Sequence, residues 1–115
     1  MSRNIVELQA NKDVSADSPF EATFPPVDVD EILLEFDPKH SGPPLIVLSN
    51  SGGATKEVHP MPQRGREGRF VARFPNETTQ WSAIRVGMLR GKRGRLVKVK
   101  LVAKTAGSVT PAPQG

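Results

Sequence analysis

Residues 80–104 carry the longest unbroken strand-like pattern in the chain, and that pattern limits what the whole can become. Ile84, Val86 and Met88 alternate with Arg85 and Gly87. Gly91-Lys92-Arg93-Gly94 then supplies turn residues, and Val97, Val99 and Leu101 alternate with Lys98 and Lys100. Successive side chains of a strand point to opposite faces, so each arm offers an apolar face to a core and a cationic face to water. The stretch predicts a β-hairpin from Gln80 to Lys104.

The remainder of the chain repeats the two-residue period. Val6, Leu8 and Ala10 mark a first strand that ends in the turn-rich stretch from Asn11 to Ser18. Phe20, Ala22 and Phe24 mark a second, stopped by Pro25-Pro26 because proline has no N–H to give a ladder. Ile32, Leu34 and Phe36 define a third between Asp30 and Asp37. Leu45-Ile46-Val47-Leu48 is continuously apolar, as a central strand covered on both faces would be. Thr55 to His59 reads as a weaker strand, Pro60 to Gly68 as an irregular loop, and Phe70, Ala72 and Phe74 as a further strand.

No segment has apolar positions at i, i+3, i+4 and i+7 over a length that a helix needs. About eight strands separated by turn signals predict an antiparallel β-sandwich, jelly-roll or immunoglobulin-like, with a partly closed barrel as second choice. Residues 1–104 are expected to form this one domain and 105–115 a flexible tail or linker. The core expected from alternation sets Ile84, Val86, Met88, Val97, Val99 and Leu101 against the phenylalanines and Ile32 and Leu34.

Charge narrows the function classes. Nine acids face two bases up to Asp37, whereas fourteen bases face three acids from Pro38 onward, so the net +4 conceals an acidic first third and a basic remainder. Cysteine is absent, which removes disulfides, a thiol nucleophile and cysteine-ligated zinc. No window approaches the ~18 consecutive apolar residues of a membrane span, and Glu7 interrupts the only apolar run near the start, so no secretory segment is visible. A chain that stays inside a cell, belongs to a particle, or is cut from a longer protein fits these features.

His40 and His59, the only histidines, lie in loops with no catalytic partner pattern, and Asp28, Asp30 and Glu31 lack the glycine of a calcium loop. We therefore expect no enzyme, cofactor or metal. Asn76-Glu77-Thr78 matches a glycosylation sequon, which has little weight without a secretory signal.

Two surfaces remain as binding candidates. Trp81 and Arg85, with Arg64 and Arg66 in a nearby loop, can form a platform for a glycan or protein partner if Trp81 is exposed. Arg90, Lys92, Arg93, Arg95, Lys98 and Lys100 make the hairpin a cationic ribbon suited to phosphate. Against the ribbon, Glu31 and Glu35 can pair with Lys98 and Lys100 if their strands are neighbours, and single-stranded nucleic acid also needs stacking aromatics.

The run Ile32 to Pro38, the Gly/Pro-rich gap, Leu45 to Leu48 and Trp81-Ser82-Ala83-Ile84-Arg85-Val86 resemble the strand order of jelly-roll accessory domains of the carbohydrate-binding-module type. The resemblance implies a non-catalytic module that holds a glycan with an aromatic residue and polar neighbours. Two alternatives stand beside it: a structural subunit of a virion or similar assembly, self-associating through its acidic and basic surfaces, and nucleic-acid binding by the basic hairpin.

Overall fold

The computed structural model describes residues 5–37, 42–75 and 79–104. His40, the sequon at 76–78 and the stretch 105–115 lie outside the described residues. The fold is all-β and antiparallel. Its strands are β1 (Ile5–Ser15), β2 (Phe20–Phe36), β3 (Pro44–Ser49), β4 (Thr55–Val58), β5 (Met61–Pro62), β6 (Arg69–Arg73), β7 (Gln80–Met88) and β8 (Arg93–Ala103). They hydrogen-bond in the order β1-β8-β2-β7-β3-β4, with β6 on the second half of β2 and β5 on β6.

The organising element is β2. Its first part pairs β7, with Phe20 opposite Val86 and Asp28 opposite Gln80, and its second part pairs β8, with Phe36 opposite Leu96. Val86 and Leu96 flank the β7–β8 connection, so β2 runs away from that connection and returns to it. The corner falls where sequence alternation breaks. Opposite β7 the register shifts between Thr23 and Val27, across Phe24-Pro25-Pro26, and opposite β8 it shifts between Val29 and Glu31. Proline cannot donate to a ladder, and the extra residues of a bulge bend and twist a strand. Pro25-Pro26 therefore turns β2 without ending it, where sequence alone predicts two strands.

Two further expectations are corrected by this topology. β7 and β8 are not a hairpin: they lie on opposite sides of β2, one on each of its halves. Leu45 to Leu48 is not the central strand, because β3 sits between β7 and the short edge strand β4, and its Leu45 and Val47 are only half-buried. The eight strands form one continuous sheet joined through β2 and folded over its own core, without the two separately bonded sheets of a simple sandwich.

One apolar cluster fills the fold. Ile32, Leu34 and Phe36 of β2, Ile46 and Leu48 of β3, Phe70 of β6 and Phe74 just after it, Ile84 and Val86 of β7, and Val99 and Leu101 of β8 all belong to it. Phe36 and Phe70 meet edge to face, with ring centroids 5.8 Å apart. In β8 the faces expected from alternation hold except at Val97, which is half-buried while Leu96 takes the inward place. The cause is a bulge: Glu35 lies opposite Lys98 and Phe36 opposite Leu96, so Val97 is the extra residue. On the other side β1 also shifts, between Gln9 and Lys12, and Asn11 there takes a left-handed conformation with φ 45°.

Candidate cationic loop end

Most cations on the strands meet an acid from the first third of the chain. Arg85 Nε donates to Glu21 Oε2 at 2.8 Å, Arg73 Nε to Glu31 Oε2 at 3.1 Å and Arg95 Nη1 to Asp13 Oδ1 at 3.3 Å. Lys98 and Lys100 reach Glu7 at 3.7 and 4.0 Å, and Arg69 reaches Glu35 at 4.0 Å. The pairs follow from topology, since β1 and β2, which carry the acids, are the hydrogen-bonded neighbours of β6, β7 and β8. A chain strongly polar along its sequence is thereby charge-mixed along its strands. Each exposed pair is worth about 0–1 kcal/mol. Their chief effect here is to occupy Arg85, Arg95, Lys98 and Lys100.

The loop cations differ. Arg64 and Arg66 lie in the turn after β5, whose main chain is closed by Arg66 N–H to Gln63 O and Arg69 N–H to Arg66 O. Arg90 and Lys92 lie in the β7–β8 connection, closed by Lys92 N–H to Leu89 O at 2.9 Å. Gly91 supplies the left-handed φ of 82° that this tight turn needs. All four cationic residues are exposed, and among the described residues no acid pairs with them.

Loops distant in sequence meet at one end of the fold. Asp37 N–H donates to Arg95 O and Phe36 N–H to Gly68 O, which places the end of β2 between the two cationic loops. Gly42 lies so close to Lys92 that a Cβ at that position would stand 3.0 Å from the lysine Cγ and Cδ. Gly42 and Pro43 also line an open groove of about 630 Å³ with Pro62, Arg66 and Phe70. Arg64, Arg66, Arg90 and Lys92 thus share one end with Arg93, whose strand position is opposite Ser15. Asp17, Asp37 and Glu67 lie in or beside the same loops and leave that end net positive.

The Trp81 platform expected from alternation is absent. Trp81 is 3% exposed and belongs to the apolar cluster, while Arg85 is exposed on the opposite face of β7. Inward positions are 84, 86 and 88, so Trp81 breaks their parity. The break lies where β2 carries Phe24-Pro25-Pro26 between the partners of Ala83 and Trp81. The signal was present in those prolines, but only the pairing of β2 with β7 brings them opposite Trp81. The buried indole Nε1 has no hydrogen-bond partner among the described residues.

His59 Nε2 lies 3.2 Å from Glu57 Oε2 on the surface. No group of three or more His, Asp or Glu residues among the described residues is placed to hold an ion, and no described helix is long and apolar enough to cross a membrane. Comparison with known proteins finds no matching family model, curated protein or solved structure.

Proposed function

We propose that this chain is a non-catalytic binding module whose contact surface is the cationic loop end, and that its partner is an acidic protein surface. The observation that carries this reading is the division of the cations: most of those on strands are held by acids of β1 and β2, whereas Arg64, Arg66, Arg90 and Lys92 share one end with no acid paired to them among the described residues. Unpaired charge concentrated on one surface steers an oppositely charged partner and sets the register of docking.

The partner's class follows from what surrounds the cations. Pro43, Pro62 and the exposed Leu89 offer apolar contact beside the guanidinium groups. Asp17, Asp37 and Glu67 would repel a continuous phosphate chain more than a few discrete carboxylates. A glycan platform has no exposed Phe or Trp among the described residues on which to stack. An assembly held by acidic and basic surfaces has less acid to offer, since Glu7, Asp13, Glu21, Glu31 and Glu35 are engaged within the fold.

Titration with poly-L-glutamate and with a generic DNA duplex tests the proposal. Binding to polyglutamate should weaken as salt rises, exceed binding to the duplex at equal salt, and vanish when Arg64, Arg66, Arg90 and Lys92 are all replaced by Ala. Tighter binding to the duplex would assign the surface to nucleic acid. No binding to either polymer at about 50 mM salt, where screening is weak, would end the proposal.

A further inference from the structure

The edges of the sheet are unequally protected. β4 has 4 residues, and β5 has 2, one of them Pro62, with Pro60 just before it. Short length and proline both blunt an edge against pairing. β1 is an edge of 11 residues without proline, and from Ile5 to Gln9 its register with β8 is regular. Val6, Leu8 and Ala10 are only half-buried along its inner face, where they pack against the core cluster. Ile5 is 54% exposed.

Hydrogen-bond parity shows which main-chain groups this edge presents. Phe36 N–H donates to Gly68 O and Phe74 N–H to Asp30 O, so even-numbered residues of β2 from 30 to 36 turn their main-chain groups towards β6. Leu33 and Glu35 therefore face β8, opposite Lys100 and Lys98. In an antiparallel sheet this alternation passes to the next strand. Val99 and Leu101 are thus the residues bonded to β1, opposite Leu8 and Val6. Glu7 and Gln9 consequently aim their N–H and C=O groups outward from the edge.

We infer that the β1 edge is a self-association site, and that its occupant is β1 of a second copy of this chain, paired antiparallel about a twofold axis at Leu8. In that register Glu7 of each copy lies opposite Gln9 of the other, forming two hydrogen-bonded pairs around a central non-bonded Leu8 pair. Val6 lies opposite Ala10 on the inner face, which covers the half-exposed rim of the core. No charge meets a like charge directly. Moving the axis one residue to Glu7 would set two carboxylates opposite each other, which is destabilising. The bulge at Asn11 ends the regular stretch and limits the contact to about five residues per copy, so the dimer should dissociate on dilution. Residues 6–10 lie along β8 away from the cationic loop end, so this site is independent of the function proposed above.

Sedimentation equilibrium over a concentration series tests the pairing with two variants. Gln9→Pro removes an outward N–H that the β1–β8 ladder does not use, so it should leave a folded monomer at every concentration. Leu8→Cys introduces the only cysteine of the chain. The Cα separation of a non-bonded antiparallel pair, about 4.5 Å, permits a disulfide. It should therefore give a covalent dimer under oxidising conditions. A wild-type chain that remains monomeric throughout would overturn the inference. So would a dimer that survives Gln9→Pro, or a dimerising Leu8→Cys chain that does not cross-link.

Discussion

Val99 and Lys98 are neighbours in β8 with opposite surroundings. Val99 is fully buried against the core, whereas Lys98 lies half-exposed on the outer face beside Glu7. Val99→Asp would bury a carboxylate with no partner, a change expected to cost more than about 4 kcal/mol and unfold the domain. Lys98→Asp loses one partly exposed ion pair and sets a carboxylate opposite Glu35, and should cost about 1–2 kcal/mol. Thermal melts of the two variants check the assignment of faces, and a larger loss for Lys98→Asp would invert it. Alternation made these positions legible in the sequence. It failed at Val97, itself the extra residue of a bulge, and at Trp81, which lies opposite extra residues of β2, because both effects depend on a neighbouring strand. Single-strand periodicity carries no information about that neighbour.

At the scale of elements, bulges decide where strands bend and stop. β1 continues to Ser15 through Asn11, although the polar run after Ala10 reads as a turn. Asn11 makes this possible by adopting φ 45°, a conformation that asparagine tolerates and β-branched residues resist. Asn11→Gly should leave the melting temperature nearly unchanged, whereas Asn11→Val should destabilise by about 1–2 kcal/mol. Equal melts for the two would mean that the left-handed turn is not needed. The same physics explains why Gln80 to Lys104 reads as a hairpin. Both arms and the turn are genuine, and Gly91 turns as a hairpin glycine would, but the apolar faces of β7 and β8 are each satisfied against a different half of β2. Local pattern sets the strands, and long-range pairing sets their partners.

Across the whole molecule, the imbalance between an acidic beginning and a basic remainder is consumed by strand order. The sequence showed the charges, and the alternation showed which of them point outward. It could not show that Glu7, Asp13 and Glu21 would lie beside Lys98, Arg95 and Arg85. Nor could it show that Arg64 and Arg66 would be brought to the same end as Arg90 and Lys92. One clue was available: those four cations fall in loops, outside the strand alternation, where no cross-strand acid is set opposite them. Held charge serves stability, and available charge serves binding. This division is tested most directly by measuring melting temperature and polyglutamate affinity together for two fourfold alanine variants, one at Arg73, Arg85, Arg95 and Lys98, the other at Arg64, Arg66, Arg90 and Lys92. With each pair worth a fraction of a kcal/mol, the first set should lower the melting temperature by roughly 5–10 °C and keep most of the affinity. The second should lose the affinity and leave the melting temperature within about 2 °C of wild type, as surface changes remote from packing do. Loss of affinity confined to the first set, or equal destabilisation by both, would contradict the account.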